Sequence, residues 1–191
     1  MPKPVKKRAV YDDLHKLPEN MTGEIIEGEL HAFPRPHSRH AKSTSVLSGE
    51  LMPPYYFGRG GGPGGWIILI EPEVMLGDDL VAPDLAGWKK DRLPKLPKKN
   101  WISVVPDWVC EMLSPSARGY DRIKKMPLYG QFAVKHVWLL DPLDRTLEVY
   151  QLENGRWTAI GFYGENDKVK AEPFAEIEIN LADFWMEEEE A

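Results

Sequence analysis

The chain has 191 residues, which is enough for one substantial hydrophobic core and short for two. Its hydrophobic fraction of 42% is ordinary for a globular protein, and no run of about 18 apolar residues offers a transmembrane helix. The net charge of −6 argues against a protein that coats nucleic acid non-specifically, but it leaves room for an enzyme with a local basic surface.

The ends of the chain and its single cysteine narrow the class of protein further. Cys110 alone excludes an internal disulfide and a multi-cysteine metal site. The basic start is not followed by the apolar segment of a secretory signal, so we expect a cytoplasmic protein. We expect a flexible basic arm (1–9), a single domain (10–185) and a disordered acidic tail (186–191).

The first third of the chain predicts two helices with a hairpin between them. Residues 10–17 can form a short helix, and the alternating segment 24–33, with a glycine near its middle, predicts a hairpin or a bulged strand. Apolar positions between Ser38 and about Leu51 have helical spacing. We expect Pro53 and Pro54 to end that helix.

Strands and loops follow. The glycine-rich loop (58–65) lacks the Gly-Lys-Ser/Thr ending of a P-loop and runs into a strand, so we interpret it as a flexible linker. Residues 66–76 predict one or two strands interrupted by a proline, and 80–88 predict another. The basic segment (89–100) is spaced by prolines, which predicts an exposed loop.

A buried strand and a helix are predicted next. Residues 106–116 contain a short strand that is apolar on both faces, with a helix expected to start at its closing Ser-Pro-Ser. That helix should carry Asp121, Lys125 and Tyr129 on one face, because they are spaced four apart. Lys125 is then either a cation of a functional site or half of a surface Asp–Lys pair.

The last part of the chain predicts mostly strands. Residues 135–142 form a buried strand, and 146–163 form a hairpin around Asn154 and Gly155 with a type I′ turn. A last strand and turn lead to Trp185. The order of elements predicts an α/β fold, a mixed (α+β) sheet with helices packed against it.

Glu111 is the most unusual residue of the predicted core. Side chains alternate along a strand, so Glu111 shares a face with Val109 and Leu113, and both faces are apolar. An ionised carboxylate there must be paired, protonated or bound to a metal. An alternative is that Glu111 lies at the strand end and pairs with Arg118 or Arg122.

Asp84 directly follows a proline in another predicted apolar strand. Its carboxylate, too, needs a partner for its charge. Alone it could be a turn aspartate. Two acidic residues on neighbouring central strands would repel each other without a cation between them, and carboxylate oxygens are ligands that Mg²⁺ or Mn²⁺ prefers. Asp84 and Glu111 are therefore candidate metal ligands in a site for phosphodiester hydrolysis.

These residues lie in motifs that resemble a known family. The motifs are VAPDL (81–85), WVCEMLSPS (108–116), the spaced Asp121, Lys125 and Tyr129, and HVWLLDP (136–142). Together they resemble the Uma-type restriction endonuclease family, a branch of the P-D-(D/E)-X-K nuclease superfamily. The acidic-glycine hairpin containing Glu24 and the Pro-x-x-x-His motif of residues 36–40 extend the resemblance from about residue 11 to residue 185.

The resemblance implies a restriction-endonuclease-like core with an added N-terminal hairpin and a C-terminal β-hairpin. It implies that Asp84 and Glu111 hold Mg²⁺ or Mn²⁺, with the Met112 carbonyl as a further possible ligand. Leu113 stands where the superfamily's usual lysine would be, so the resemblance assigns that charge to Lys125. The residues it implies as accessory to the site are Glu24, His40, Asp121 and Tyr129.

A proline in the predicted helix leaves open which lysine faces the site. Pro127 falls inside the helix that should present Lys125, and an interior proline kinks or interrupts a helix. Lys124 is therefore a possible substitute for Lys125.

The function expected from these observations is a Mg²⁺- or Mn²⁺-dependent endonuclease acting on DNA, with a homodimer as one way to cut both strands. The basic segment should then approach the DNA backbone through Lys89, Lys90, Arg92, Lys95, Lys98 and Lys99. The alternative is a catalytically inactive nucleic-acid- or partner-binding module on the same fold. A hydrolase of small phosphate esters is a third possibility.

Overall fold

The computed structural model describes residues 7–35 and 37–185. Most of the expected basic arm, Pro36 of the Pro-x-x-x-His motif and the expected acidic tail (186–191) lie outside the described residues. No helix in the described part of the chain is long and apolar enough to cross a membrane.

The elements of the first half are, in chain order, α1 (Tyr11–Leu14), β1 (Met21–Ile26), β2 (Glu29–Pro34), α2 (Ser38–Leu51), a π-helical turn (Met52–Tyr56), β3 (Trp66–Ile70), β4 (Val74–Leu76), β5 (Asp79–Val81) and β6 (Leu85–Lys89). Those of the second half are β7 (Trp108–Met112), α3 (Arg118–Tyr120), a second π-helical turn (Asp121–Lys125), α4 (Met126–Gln131), β8 (His136–Asp141), β9 (Thr146–Glu153), β10 (Arg156–Gly164), β11 (Lys168–Val169), β12 (Ile179–Asn180) and a 3₁₀ turn (Leu181–Phe184).

The main sheet has six strands in the order β10-β9-β8-β7-β6-β3, and its only parallel pair is β7 with β8. A second sheet has the order β2-β1-β5-β4, and β11 pairs with β12. The mixed sheets with few helices confirm the expected α/β class.

The directions of the strands decide where the candidate site lies. Leu85 of β6 is opposite Cys110 of β7 in an antiparallel pair, so β6 begins where β7 ends. We call that end of the main sheet the site end and the opposite end the far end. Trp66, the first residue of β3, pairs with Lys89 and lies at the far end.

The two faces of β7 enter different hydrophobic clusters. Trp108, Cys110 and Met112 pack into one cluster, together with residues of α2 and the C-terminal segment. Val109 and Leu113 pack into the other. Burial on both faces confirms that β7 is an interior strand and that Glu111 shares its face with Val109 and Leu113.

Several local expectations are confirmed. The second helix spans Ser38–Leu51 as its spacing predicts. Glu27 and Gly28 between β1 and β2 have φ of 57° and 77°, and Asn154 and Gly155 between β9 and β10 have φ of 50° and 76°. Positive φ at both central residues is what a type I′ turn requires.

Three boundaries differ from the expectation. Pro53 and Pro54 do not end the helical segment, because it widens into the π-helical turn, in which Phe57 N–H donates to the Met52 carbonyl. The next helix begins at Arg118, because Ala117 and Arg118 first form a turn back to the Ser114 carbonyl.

The third difference concerns residues 80–88, which form two strands rather than one. β5 belongs to the second sheet and β6 to the main sheet. Pro83 lies at the break between them, where its missing N–H removes no hydrogen bond from either strand. Asp84 therefore lies between the two strands and directly precedes β6.

Candidate metal centre in the cleft

A cleft of about 790 Å³ opens at the site end, where the β1–β2 hairpin faces the main sheet. Its wall contains the candidate residues Glu24, His40, Asp84, Glu111, Asp121 and Lys125. Five strands or helical segments thus deliver these side chains to one place.

Asp84 is held by two neighbours at the start of β6. Its Oδ2 accepts a hydrogen bond from Met112 N–H at 2.6 Å, and its Oδ1 lies 2.9 Å from Nε2 of His40. Burial alone would lower the pKa of His40, but the hydrogen bond and charge of Asp84 outweigh it and raise that pKa. The start of β6 and the start of α2 thus meet through this pair.

Glu111 is 2% exposed and projects from the end of β7. Its Oε2 lies 2.8 Å from Lys125 Nζ, and its Oε1 accepts a hydrogen bond from the Tyr129 hydroxyl at 2.5 Å. Burial raises the pKa of Glu111 well above its usual range, and the charge of Lys125 opposes that rise only in part.

The alternative pairing of Glu111 with an arginine is wrong. Arg118 pairs with Asp141 at 2.7 Å and with Asp144 at 3.0 Å, and Arg122 pairs with Glu148. Glu111 is instead bound by the lysine and the tyrosine of the following helical segment.

Lys125 is 4% exposed and lies among three carboxylates. Its Nζ is 2.8 Å from Glu111, 2.9 Å from Glu24 and 3.9 Å from Asp121. Burial would lower the pKa of Lys125, but the neighbouring acids outweigh it and raise that pKa well above its usual value. The surface-pair alternative for Lys125 and Asp121 is therefore wrong, because both side chains are buried.

The choice between Lys124 and Lys125 is decided by the π-helical turn. This turn ends at Lys125, two residues before Pro127, and helical structure continues directly into α4, which contains the proline. Lys125 points into the cleft, whereas Lys124 points outward and forms a 2.6 Å ion pair with Glu27. Single π-helical turns inside helices are frequent at functional sites.

Glu24 reaches the cleft from β1, which pairs with β5 beside the Pro83 break. Its Oε1 accepts a hydrogen bond from Ala82 N–H at 2.8 Å and contacts Lys125. Its Oε2 is buried and forms no hydrogen bond of good geometry among the described residues, although the Tyr120 hydroxyl interacts with the Glu24 carboxylate. A buried carboxylate oxygen without a donor is costly unless a cation reaches it.

Negative charge exceeds positive charge in the cleft. The lining of the cleft contains six carboxylates (Glu24, Glu71, Glu73, Asp84, Glu111 and Asp121), against the charges of Lys125, Arg35 and Arg39 and three histidines. Burial raises the pKa of Asp121 to about 6, with Lys125 opposing the rise and the charges of Glu24 and Asp84 adding to it. A divalent cation would reduce this imbalance.

The donor set fits Mg²⁺ or Mn²⁺. Asp84 and Glu111 offer hard oxygen atoms, and each carboxylate oxygen has two lone pairs, so it can accept a hydrogen bond and bind an ion. Within residues 7–35 and 37–185, no three His, Cys, Asp or Glu side chains have the spacing of a metal cage. Mg²⁺ rarely uses such cages, because it keeps several waters and binds through one or two carboxylates.

The basic segment does not line the cleft. It begins at Lys89, at the far end of β6, and all six of its cations are exposed. It ends nearer to the cleft, where Asn100 donates to the Tyr11 hydroxyl, which donates to Glu73 of the cleft wall at 2.6 Å. Any contact of the basic segment with a nucleic acid is therefore expected outside the cleft.

No sequence pattern indicated that Tyr120 lies in the cleft. Its ring packs against His31 and Phe33 of β2. Its buried hydroxyl forms no hydrogen bond of good geometry among the described residues, but it interacts with the Glu24 carboxylate. Glu71 and Glu73 also line the cleft. The acidic pair around Pro72, at a predicted strand interruption, was a signal that could have identified them.

Comparisons with known proteins agree with this fold. No curated protein matches the chain. A crystal structure described as "a putative nuclease belonging to DUF820" from Anabaena variabilis ATCC 29413 superposes with a TM-score of 0.69 and 24% identity over 92% of this chain and 97% of that one. At that identity the likeness establishes the fold alone.

A family model described as "Uma2: Putative restriction endonuclease" matches residues 11–182, nearly the whole chain. This match confirms the resemblance carried by the motifs around Asp84 and Glu111. The chain belongs to the Uma2 family.

Proposed function

We propose that the protein is an endonuclease that hydrolyses phosphodiester bonds in DNA and requires Mg²⁺ or Mn²⁺. The observation that carries this proposal is the group of three buried carboxylates, Glu24, Glu111 and Asp121, which share one buried lysine on the wall of an open cleft. The family and the neighbouring fold support a nuclease rather than another hydrolase.

Asp84 and Glu111 would hold the ion. A bound divalent ion supplies a Lewis acid for a phosphoryl oxygen and lowers the pKa of a bound water. His40 orients Asp84 through a 2.9 Å contact, and Tyr129 fixes one oxygen of Glu111. Both carboxylates are therefore positioned before an ion or substrate arrives.

Lys125 opposes the protonation of Glu111 in the absence of substrate. A buried carboxylate with a raised pKa would otherwise take up a proton and lose its value as a ligand. Because Lys125 comes from the helical segment after β7, it supplies the charge that Leu113 cannot. Glu24 and Asp121 hold Lys125 from its other sides.

The test is cleavage of plasmid and linear DNA by the purified protein in Mg²⁺, Mn²⁺ or EDTA, alongside calorimetric titration with Mn²⁺. We expect cleavage and binding in the presence of metal, and loss of both in Asp84→Asn. No cleavage of DNA and no metal binding would refute the proposal. Cleavage only of an RNA of the same sequence, or only of a mononucleotide ester, would refute the DNA assignment.

The inactive binding module gives a different pattern in the same experiment. Such a module would bind DNA equally well as wild type and as Asp84→Asn, with no cleavage of either. Cleavage of both strands of a duplex calls for two active sites, so we propose that the enzyme acts on duplex DNA as a homodimer. Light scattering that shows a monomer on DNA during double-strand cleavage would contradict this.

A further inference from the structure

Cations in two adjoining loops are held by aromatic rings rather than by carboxylates. All four cation–π contacts in the described part of the chain involve these loops: Arg59 over Phe57 at 4.7 Å, Lys89 over Trp66 at 4.0 Å, Lys90 over Tyr56 at 5.5 Å and Lys99 over Trp101 at 5.2 Å.

The glycine-rich loop and the basic segment are in contact at the far end. Lys90 N–H donates to the Gly65 carbonyl at 2.9 Å, and Lys90 Nζ donates to the Tyr56 carbonyl at 3.0 Å. Phe57, beneath Arg59, is 53% exposed. The two loops therefore form one surface open to solvent.

The charge of this surface is nearly uncompensated. The basic segment contains six cations and one acid, Asp91, in a chain of net charge −6. Arg92 is neutralised by the buried Asp107 at 2.7 Å. Among the described residues, the ammonium groups of the segment's five lysines have no carboxylate oxygen within 4.0 Å, although the backbone N–H of Lys89 donates to Asp107 at 3.0 Å. Most other described cations do form such a pair.

A cation over an aromatic ring keeps its full charge while its side chain is partly ordered. Ordering before binding reduces the entropy lost when an anion binds. A surface of this kind suits a polyanion with regularly spaced charges, because several ammonium groups can each meet one phosphate.

We propose that Arg59, Lys89 and Lys90, named the basic surface, bind the phosphate backbone of DNA that extends beyond the cleft. The choice of DNA rests on the proposed function. The five residues of β6 separate Asp84 from the far end by roughly 16 Å, or about five base pairs at 3.4 Å each. A duplex confined to the cleft would therefore not reach Lys89.

The test compares DNA duplexes of 8 and 24 base pairs by fluorescence anisotropy in EDTA, where cleavage is absent. The test variant is the triple Arg59→Gln/Lys89→Gln/Lys90→Gln. The matched control is Lys16→Gln/Lys168→Gln/Lys170→Gln, which removes the same charge from exposed positions elsewhere. Circular dichroism verifies that both variants are folded.

We expect the test variant to bind the 24-base-pair duplex with a slope of log affinity against log salt reduced by about 2.7, which is about 0.9 per lost phosphate contact. Its affinity for the 8-base-pair duplex and both affinities of the control should equal those of wild type. An unchanged slope, an equal loss in the control, or an equal loss on the short duplex would overturn the inference.

Two further outcomes separate this inference from the proposed function. If the test variant cleaves DNA and its salt slope is unchanged, the proposed DNA-binding role of the basic surface is refuted and the proposed nuclease activity is not. If the wild-type protein binds DNA with the expected salt slopes but does not cleave it, the proposed nuclease activity is refuted and the DNA-binding role of the basic surface is not. Competition by a tetraglutamate peptide as strong as that by DNA would show an acidic protein segment as the ligand, and would also overturn the inference.

Discussion

The cleft and the basic surface use the same type of side chain in opposite ways. In the cleft, Lys125 is buried and its charge is paired with Glu111, Glu24 and Asp121. On the basic surface, Lys89 and its neighbours are exposed and lie over aromatic rings, so their charge remains available. A lysine therefore stabilises a site or attracts a substrate according to what surrounds it, not according to its identity.

The largest expected effect is the loss of catalysis in Asp84→Asn. The amide keeps an oxygen for Met112 N–H but removes a charged ligand from the proposed metal site. Because a metal contributes several kcal/mol to transition-state stabilisation, we expect a fall in the rate of plasmid nicking in Mg²⁺ by about 10³-fold. Salt-dependent DNA binding in EDTA should be unchanged, and its loss would show that the cleft and the surface are not separable.

Lys125→Met should have the second largest effect, on stability. Removing one partner of a buried ion pair leaves an uncompensated charge and costs about 3–5 kcal/mol of the free energy of unfolding. Urea denaturation checks this value. The double variant Glu111→Gln/Lys125→Met should recover part of the loss, and no recovery would contradict the pairing in the cleft.

The pH dependence of stability should change in Asp121→Asn. The pKa of Asp121 is raised to about 6 in the folded protein, so the native state holds a proton that the unfolded chain has released by about pH 4. This group's contribution to stability is full below pH 4 and is lost as the pH rises through 6. The stability of the variant relative to wild type should therefore rise by roughly 1–3 kcal/mol between pH 4 and 6 in EDTA.

The smallest effect should come from Lys124→Met, next to the buried lysine. Lys124 forms an exposed pair with Glu27, and exposed pairs contribute little to stability. We expect the urea midpoint and the rate of DNA cleavage to equal those of wild type. A loss like that of Lys125→Met would mean that the two lysines exchange roles in solution.

Local sequence patterns predicted which side chains of a single strand or helix share a face. Alternation along residues 108–112 placed Glu111 and Val109 on one face, and the structure confirms this. The helical spacing of Asp121, Lys125 and Tyr129 also predicted a shared face. Pro127 left the direction of Lys125 open, because no local pattern shows that a π-helical turn accommodates the proline.

The sequence did not predict which distant strands pair with each other. Glu24 enters the cleft because β1 pairs with β5, through Ile25 and Leu80, which are far apart in the chain. The basic segment was correctly predicted as a loop, but its start at the far end follows from the antiparallel pairing of β6 with β7. Neither pairing has a signature in the local sequence.

The most direct test of the metal site is a crystal structure of the protein soaked in Mn²⁺, with anomalous data collected at the manganese edge. We expect an anomalous peak between the carboxylates of Asp84 and Glu111, and no such peak in crystals of Asp84→Asn grown in the same way. Anomalous density only at other positions, with Glu111 still held by Lys125 and Tyr129 alone, would contradict it.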